Sequence, residues 1–225
     1  VKNLDFSRLA ARRGILMDND TLDTIVIGGP SYFAIDVEIT GRAAHAGMEP
    51  EKGINAIQAA ARAIAALELG RLDTQTTANV GVIEGGLIRN GVPDRAKFLA
   101  ECRSAVHEKG VALAERMAKT IREQGEANGA KVKVEVNILC RAVRIPEDSW
   151  TVGLAKRGLA EVGVEAKCVF ITGFTDASIY NNQGIEMAVV GIGAQNEHTT
   201  DECIAIADME RAVKALVAML RFAAE

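Results

Sequence analysis

Apolar and polar residues alternate along three long stretches of this chain. Phe33, Ile35, Val37 and Ile39 alternate with Asp36, Glu38 and Thr40. Val132, Val134, Val136 and Ile138 alternate with Lys131, Lys133, Glu135 and Asn137, and Phe98, Ala100 and Cys102 share one side of a run over 95–105. A period of two is that of a strand with one face buried, so each stretch predicts a strand. A fourth, over 77–84, is closed by Gly85-Gly86. Elsewhere the period lengthens. Ile54, Ile57, Ala61, Ile64 and Leu67 recur at helical spacing up to a stop at Gly70, and 111–127 reads as an amphipathic helix ended near Gly129.

The predicted order over 31–141 is therefore β-α-β-β-α-β. That is the split βαβ, ferredoxin-like plan: four antiparallel strands with two helices on one face. The flanks follow a different rhythm. A short apolar run over 25–29 ends in Gly28-Gly29-Pro30. A helix over 150–162, a strand over 167–171, a short helix over 176–182 and a fully apolar strand over 187–190 follow the central stretch. The last helix, 208–224, is expected to bury Met209, Val213, Leu216, Val217 and Leu220. This alternation suits a parallel or mixed sheet covered by helices, an α/β domain. Segments 1–30 and 142–225 read as its two edges, with 31–141 inserted between them. So few strands make an incomplete sheet, and the pattern predicts further polypeptide ahead of Val1.

Composition narrows the function classes. The 225 residues carry 26 basic and 30 acidic side chains, a net charge of −4 with no basic run, which excludes the electrostatic footprint of a nucleic-acid or anionic-membrane binder. Aromatics are 4% of the chain, too few for an RNA-stacking sheet. The longest apolar stretches are Ala-rich and broken by Arg or Glu, so no membrane span is expected, and no leader is visible at Val1. Cysteines at 102, 140, 168 and 203 are too widely spaced for a redox pair or a zinc knuckle. Free thiols in a reducing cytoplasm follow, the first three being small core residues.

The candidate chemistry is sparse. Of three histidines, His107 precedes Glu108-Lys109-Gly110 and reads as part of a solvated corner. His45 lies among small residues in Gly41-Arg42-Ala43-Ala44-His45-Ala46-Gly47, where its ring is unobstructed; a plain surface-loop histidine fits as well. His198 follows the apolar strand 187–190, and loops at the carboxyl ends of α/β strands are where ligands bind. It suits a metal ligand, a general base or an ordinary loop residue. Asp18, in Met17-Asp18-Asn19-Asp20, suits a metal ligand or a turn cap, and Thr175-Asp176 suits the cap of a helix.

Taken in order, five segments resemble the dinuclear-zinc peptidase family of peptidase T, carboxypeptidase G and aminoacylase. They are Gly41 to Gly47, Ile83 to Pro93 (I-E-G-G-L-I-R-N-G-V-P), Glu101-Cys102-Arg103-Ser104, Gly173-Phe174-Thr175-Asp176 and Glu197-His198-Thr199-Thr200-Asp201-Glu202. Lys2-Asn3-Leu4-Asp5 and Met17-Asp18-Asn19 point to the peptidase T-like branch. The resemblance implies a zinc-binding α/β catalytic domain interrupted by a ferredoxin-like lid, 31–141, that forms a homodimer. It implies Asp18 on one zinc ion and His198 on the other, with Co2+ or Mn2+ as substitutes. His45 would reach into the partner's site and steady the oxyanion. Asn90 and Arg103 would bind main-chain or carboxylate groups of a small peptide substrate, with Gly173 offering backbone contacts beside them. Phe174 stands where many relatives carry a second glycine.

The sequence also departs from that family. Its His-x-Asp pair and its Glu-Glu, which holds the general base and a ligand, do not occur in these 225 residues. The chain thus reads as the second half of a metallopeptidase, starting just after the Glu-Glu and inactive by itself. The alternative is a non-catalytic dimerisation or interaction module built on 31–141.

Overall fold

The computed structural model describes residues 3–225; Val1, and Lys2 of the opening motif, lie outside the described residues. In chain order the strands are β1 (Arg13–Met17), β2 (Thr24–Gly29), β3 (Ser31–Thr40), β4 (Ala44–His45), β5 (Gly70–Asp73), β6 (Thr76–Gly85) and β7 (Gly91–Val92). They continue with β8 (Arg95–Ser104), β9 (Lys131–Cys140), β10 (Val143–Arg144), β11 (Lys167–Phe170), β12 (Glu186–Val190), β13 (Ala194–Gln195) and β14 (Cys203–Ile204). The helices are α1 (Ala56–Ala65), α2 (His107–Glu126), α3 (Trp150–Ala160), α4 (Asp176–Asn182) and α5 (Ile206–Ala223). They assort into two units, one of Ser31–Arg141 and one of the residues up to Pro30 with Ala142–Glu225.

In the 31–141 unit an antiparallel sheet runs β5-β6-β8-β3-β9. The alternation read from the sequence sets its faces. Phe33, Ile35, Val37, Ile39, Phe98 and Cys102 turn inward and are buried against Ala59, Ala60 and Ala63 of α1 and Leu113, Met117 and Ile121 of α2. Asn55 starts α1 by accepting the Gln58 amide at 2.9 Å. Burial pushes the Cys102 thiol up to about 12, so it behaves as an inert core residue.

Two local readings change. Gly70 does not stop α1, which ends at Ala65 with Ala66 as its C-cap. Gly70 adopts φ +87° and opens β5, a strand too short to show a period. Nor is His107 a solvated corner. It is the first residue of α2, its Nδ1 lies 2.8 Å from Ser31 Oγ, and its ring stacks on Phe33 at 6.1 Å.

In the other unit the sheet is mixed. β12 lies parallel to β1 and antiparallel to β2, while β11 runs parallel and β10 antiparallel to β2. Ile25, Ile27, Ala188 and Val190 pack against Val152 and Leu159 of α3 and Ala215 and Met219 of α5. Val26 and Val189 face Ala177 of α4 on the other side. Thr175 occupies the N-cap position of α4, with Asp176 the first helical residue, but its side chain makes no capping hydrogen bond.

The expected buried side of α5 is wrong in an informative way. Ala212, Ala215, Ala218 and Met219 are buried and Leu216 is half-buried as expected, whereas Ile206, Met209, Val213, Val217 and Leu220 are exposed. The cause is close packing on α3. A Cβ on Gly158 would fall 2.3 Å from Met219 Cγ and 2.9 Å from the Ala215 carbonyl, so small residues make that contact. The large apolar residues form a separate stripe.

Candidate functional site

In the mixed-sheet unit, β1 and β12 are parallel, so their carboxyl ends coincide. Asp18 follows β1 directly, and its amide donates to the Val190 carbonyl at 3.0 Å. The chain leaves β12 at the same edge, where the Ile192 amide donates to the Asn19 carbonyl at 3.0 Å. Glycine is required here: a Cβ on Gly191 would lie 1.7 Å from the Thr21 carbonyl oxygen. From this point the chain forms the β13–β14 ribbon, and His198 lies in its connecting loop. The His198 amide donates to Glu202 Oε2 at 3.1 Å. Asp18 and His198 are both exposed.

Backbone conformation singles out the same two loops. Among the described residues, the non-glycine positions with positive φ are Asn19 at 101°, Asn196 at 56° and His198 at 65°. One is next to Asp18 and another is His198 itself. Such conformations cost an L-residue roughly 1–2 kcal/mol and concentrate where function holds them.

Gly173 is placed elsewhere. β11 runs with β2, so its carboxyl end lies at the opposite edge of the sheet from those of β1 and β12. The Gly173 carbonyl sits 3.6 Å from where a Cβ on Gly29 would be. The length of β2, about 17 Å at 3.3 Å per residue, separates that edge from Asp18.

In the 31–141 unit, β4 pairs with β7, setting His45 opposite Gly91, and the Ala46 amide donates to the Asn90 carbonyl at 3.0 Å. His45 and Asn90 are therefore neighbours on one ribbon, both exposed. The ribbon borders an open cavity of about 1040 Å³ whose lining includes Thr40, Ala44, Leu87, Val92 and Arg95.

Arg103 is not with them. It lies near the other end of β8, about 26 Å along the strand from Arg95 at 3.3 Å per residue. Its guanidinium makes a fork to Glu101, with Nε and Nη2 each donating at 3.1 Å, and covers the Tyr32 ring at 4.4 Å. Burial disfavours the Glu101 charge, but bonds from Arg103 and Tyr32 outweigh it and hold the carboxyl below its ordinary range. Burial likewise works against the Arg103 charge, and Glu101 raises its pKa overall. The Tyr32 hydroxyl is pushed up by its bond to Glu101 and by burial. Glu101 and Tyr32 were missed by sequence reasoning, although the cross-strand partner of Arg103 is fixed by the register of β3 and β8.

A metal ion needs more than two donors from one site. Among the described residues no group of three or more His, Cys, Asp or Glu could hold one. The residues present therefore do not by themselves fit a zinc centre. Among the described residues no helix is long and apolar enough to cross a membrane.

Residues 30–129 match the peptidase dimerisation domain family, M20_dimer. The uncharacterised protein YqjE of Bacillus subtilis is 33% identical over 225 residues, which is 100% of this chain and 61% of that protein. The structure of aminopeptidase PepT from Bacillus cereus superposes with a TM-score of 0.85 at 33% identity, over 100% of this chain and 60% of that one. A tripeptidase from Staphylococcus aureus gives 0.90 at 30% identity, over 98% and 59%. The chain thus spans about three-fifths of the length of the relatives it matches.

Proposed function

On the premise that this chain carries the dimerisation domain of the M20 peptidases and resembles members of that family along its whole length, we propose that it is the second half of a zinc-dependent, peptidase T-like exopeptidase acting on small peptides in the cytoplasm. The observation that carries this reading is the clustering of left-handed backbone at Asn19, Asn196 and His198, on two loops tied together at one sheet edge. Strain of that kind is retained where side chains must be aimed.

In this reading Asp18 and His198 would each supply one donor towards metal ions held mainly by residues outside this chain, zinc or a substitute such as cobalt or manganese, which would supply Lewis-acid chemistry to a peptide carbonyl. The remaining donors and the proton acceptor lie outside these residues, so the 225-residue chain alone turns over no peptide. His45 reaches the partner's site across a homodimer, and Asn90, which shares its ribbon, binds a main-chain or carboxylate group of the substrate. Arg103 receives a substrate carboxylate while Glu101 holds its fork in place. Gly173 offers main-chain contacts at the opposite sheet edge from the metal donors.

The homodimer forms through the 31–141 unit. β5 pairs with β6 only as far as Ala78, which leaves the rest of β6 an open edge. Val82, Ile83 and, on α1, Ile57 are exposed beside it. The opposite edge, β9, carries Lys131, Lys133 and Glu135, the charges that discourage strand pairing.

A second reading, a non-catalytic dimerisation module, is favoured by the way 31–141 closes a core of its own. The coding sequence upstream of Val1 separates the two. The peptidase reading expects an in-frame His-x-Asp and Glu-Glu there, and their absence leaves the module. A peptidase assay of the 225-residue chain with added zinc is expected to give no turnover; hydrolysis would show that the proton acceptor lies within it.

A further inference from the structure

We infer that the turn after His45 locks its imidazole as a hydrogen-bond donor through Nε2, with the backbone amides of Gly47 and Met48 as the positioning groups. The consequence for hydrolysis rests on the placement of His45 in the proposed site; the lock itself does not.

The geometry is local. Gly47 N–H and Met48 N–H both donate to His45 Nδ1, each at 3.2 Å. A ring nitrogen that accepts hydrogen bonds carries no proton, so the single proton of the neutral ring sits on Nε2. The turn is braced from two sides. The Met48 and Glu49 amides also donate to the His45 carbonyl, at 3.3 and 3.1 Å, and the neighbouring Ala46 amide is bound to Asn90 across the ribbon. The ring is exposed, and among the described residues Nε2 has no protein partner. His107 provides the contrast. Its Nδ1 faces the Ser31 hydroxyl, which can donate or accept, so that contact fixes neither tautomer.

The lock decides which chemistry His45 performs. With Nδ1 engaged and Nε2 protonated, the neutral ring donates to an anionic oxygen, either a developing oxyanion or a carboxylate. It does not take the proton of an attacking water. The donors are main-chain groups, so the side chain at position 48 is irrelevant and only loss of an N–H disturbs the arrangement.

Long-range proton–nitrogen correlation spectra of the 15N-labelled 225-residue chain test this, recorded well above the ordinary histidine pKa of about 6.5. His45→Gln identifies the His45 signals by their disappearance. The expected result is one tautomer at His45, protonated at Nε2, with Nδ1 displaced from the position of an unbonded acceptor. Met48→Pro removes one donor and is expected to return the Nδ1 signal towards the unbonded position, whereas Met48→Ala leaves it unchanged. A proton on Nδ1 or an averaged mixture of tautomers in the parent chain overturns the lock, whatever the variants do. A locked ring whose substitution left hydrolysis intact in the extended enzyme would instead remove His45 from the site and leave the lock standing.

Discussion

The long helices of the two units, α2 and α5, treat their large apolar side chains differently. In 31–141, α2 buries Leu113, Met117 and Ile121 against the sheet residues Phe33, Ile35, Ile39 and Phe98. In the other unit, α5 buries alanines and Met219 and leaves Ile206, Met209, Val213, Val217 and Leu220 exposed, up to 77% at Ile206. These five recur at intervals of three and four, the spacing of a helix seam. A helical period therefore shows that a face exists, but not that the same stretch of chain covers it.

Substitutions sharpen that contrast, beginning with the largest effect. Leu159→Ala, in the buried α3 contact, is expected to cost about 2–5 kcal/mol in denaturant unfolding. Gly191→Ala drives a methyl into the Thr21 carbonyl and is expected to cost about 1–3 kcal/mol. Hydrogen exchange should place that loss in the mixed-sheet unit and leave 31–141 protected; equal loss in both would mean the units are not energetically separate. His198→Gly relieves a left-handed backbone and is expected to stabilise by about 1 kcal/mol while removing the proposed donor. A destabilised variant would show that the loop is not strained. Leu220→Ala closes the series at within about 0.5 kcal/mol, since its side chain is already in solvent. A cost like that of Leu159 would mean the stripe is covered.

Much of the fold was legible because period-two patterns are unambiguous over ten residues. β9 begins and ends at the expected residues, Lys131 and Cys140, and β8 within one of them. What stayed hidden is short or relational. β5 and the β4–β7 ribbon are four and two residues long and carry no period. The buried face of α5 depends on Gly158 of another helix. The Arg103–Glu101–Tyr32 cluster needs the strand register before it can be seen. His107 gave no signal, because its partners Ser31 and Phe33 are more than seventy residues away in sequence. For the candidate site, the chain pattern indicated strand ends, and the structure adds that Asp18 and the His198 loop share one edge while Gly173 occupies another.

The most direct measurement is zinc content and tripeptide turnover of the protein extended through its upstream coding sequence, with Asp18→Ala and His198→Ala compared with the parent. The account predicts about two zinc ions per parent chain, loss of at least one of them in each variant, and turnover reduced more than roughly 100-fold. Variants that keep the parent's zinc and its turnover would contradict it.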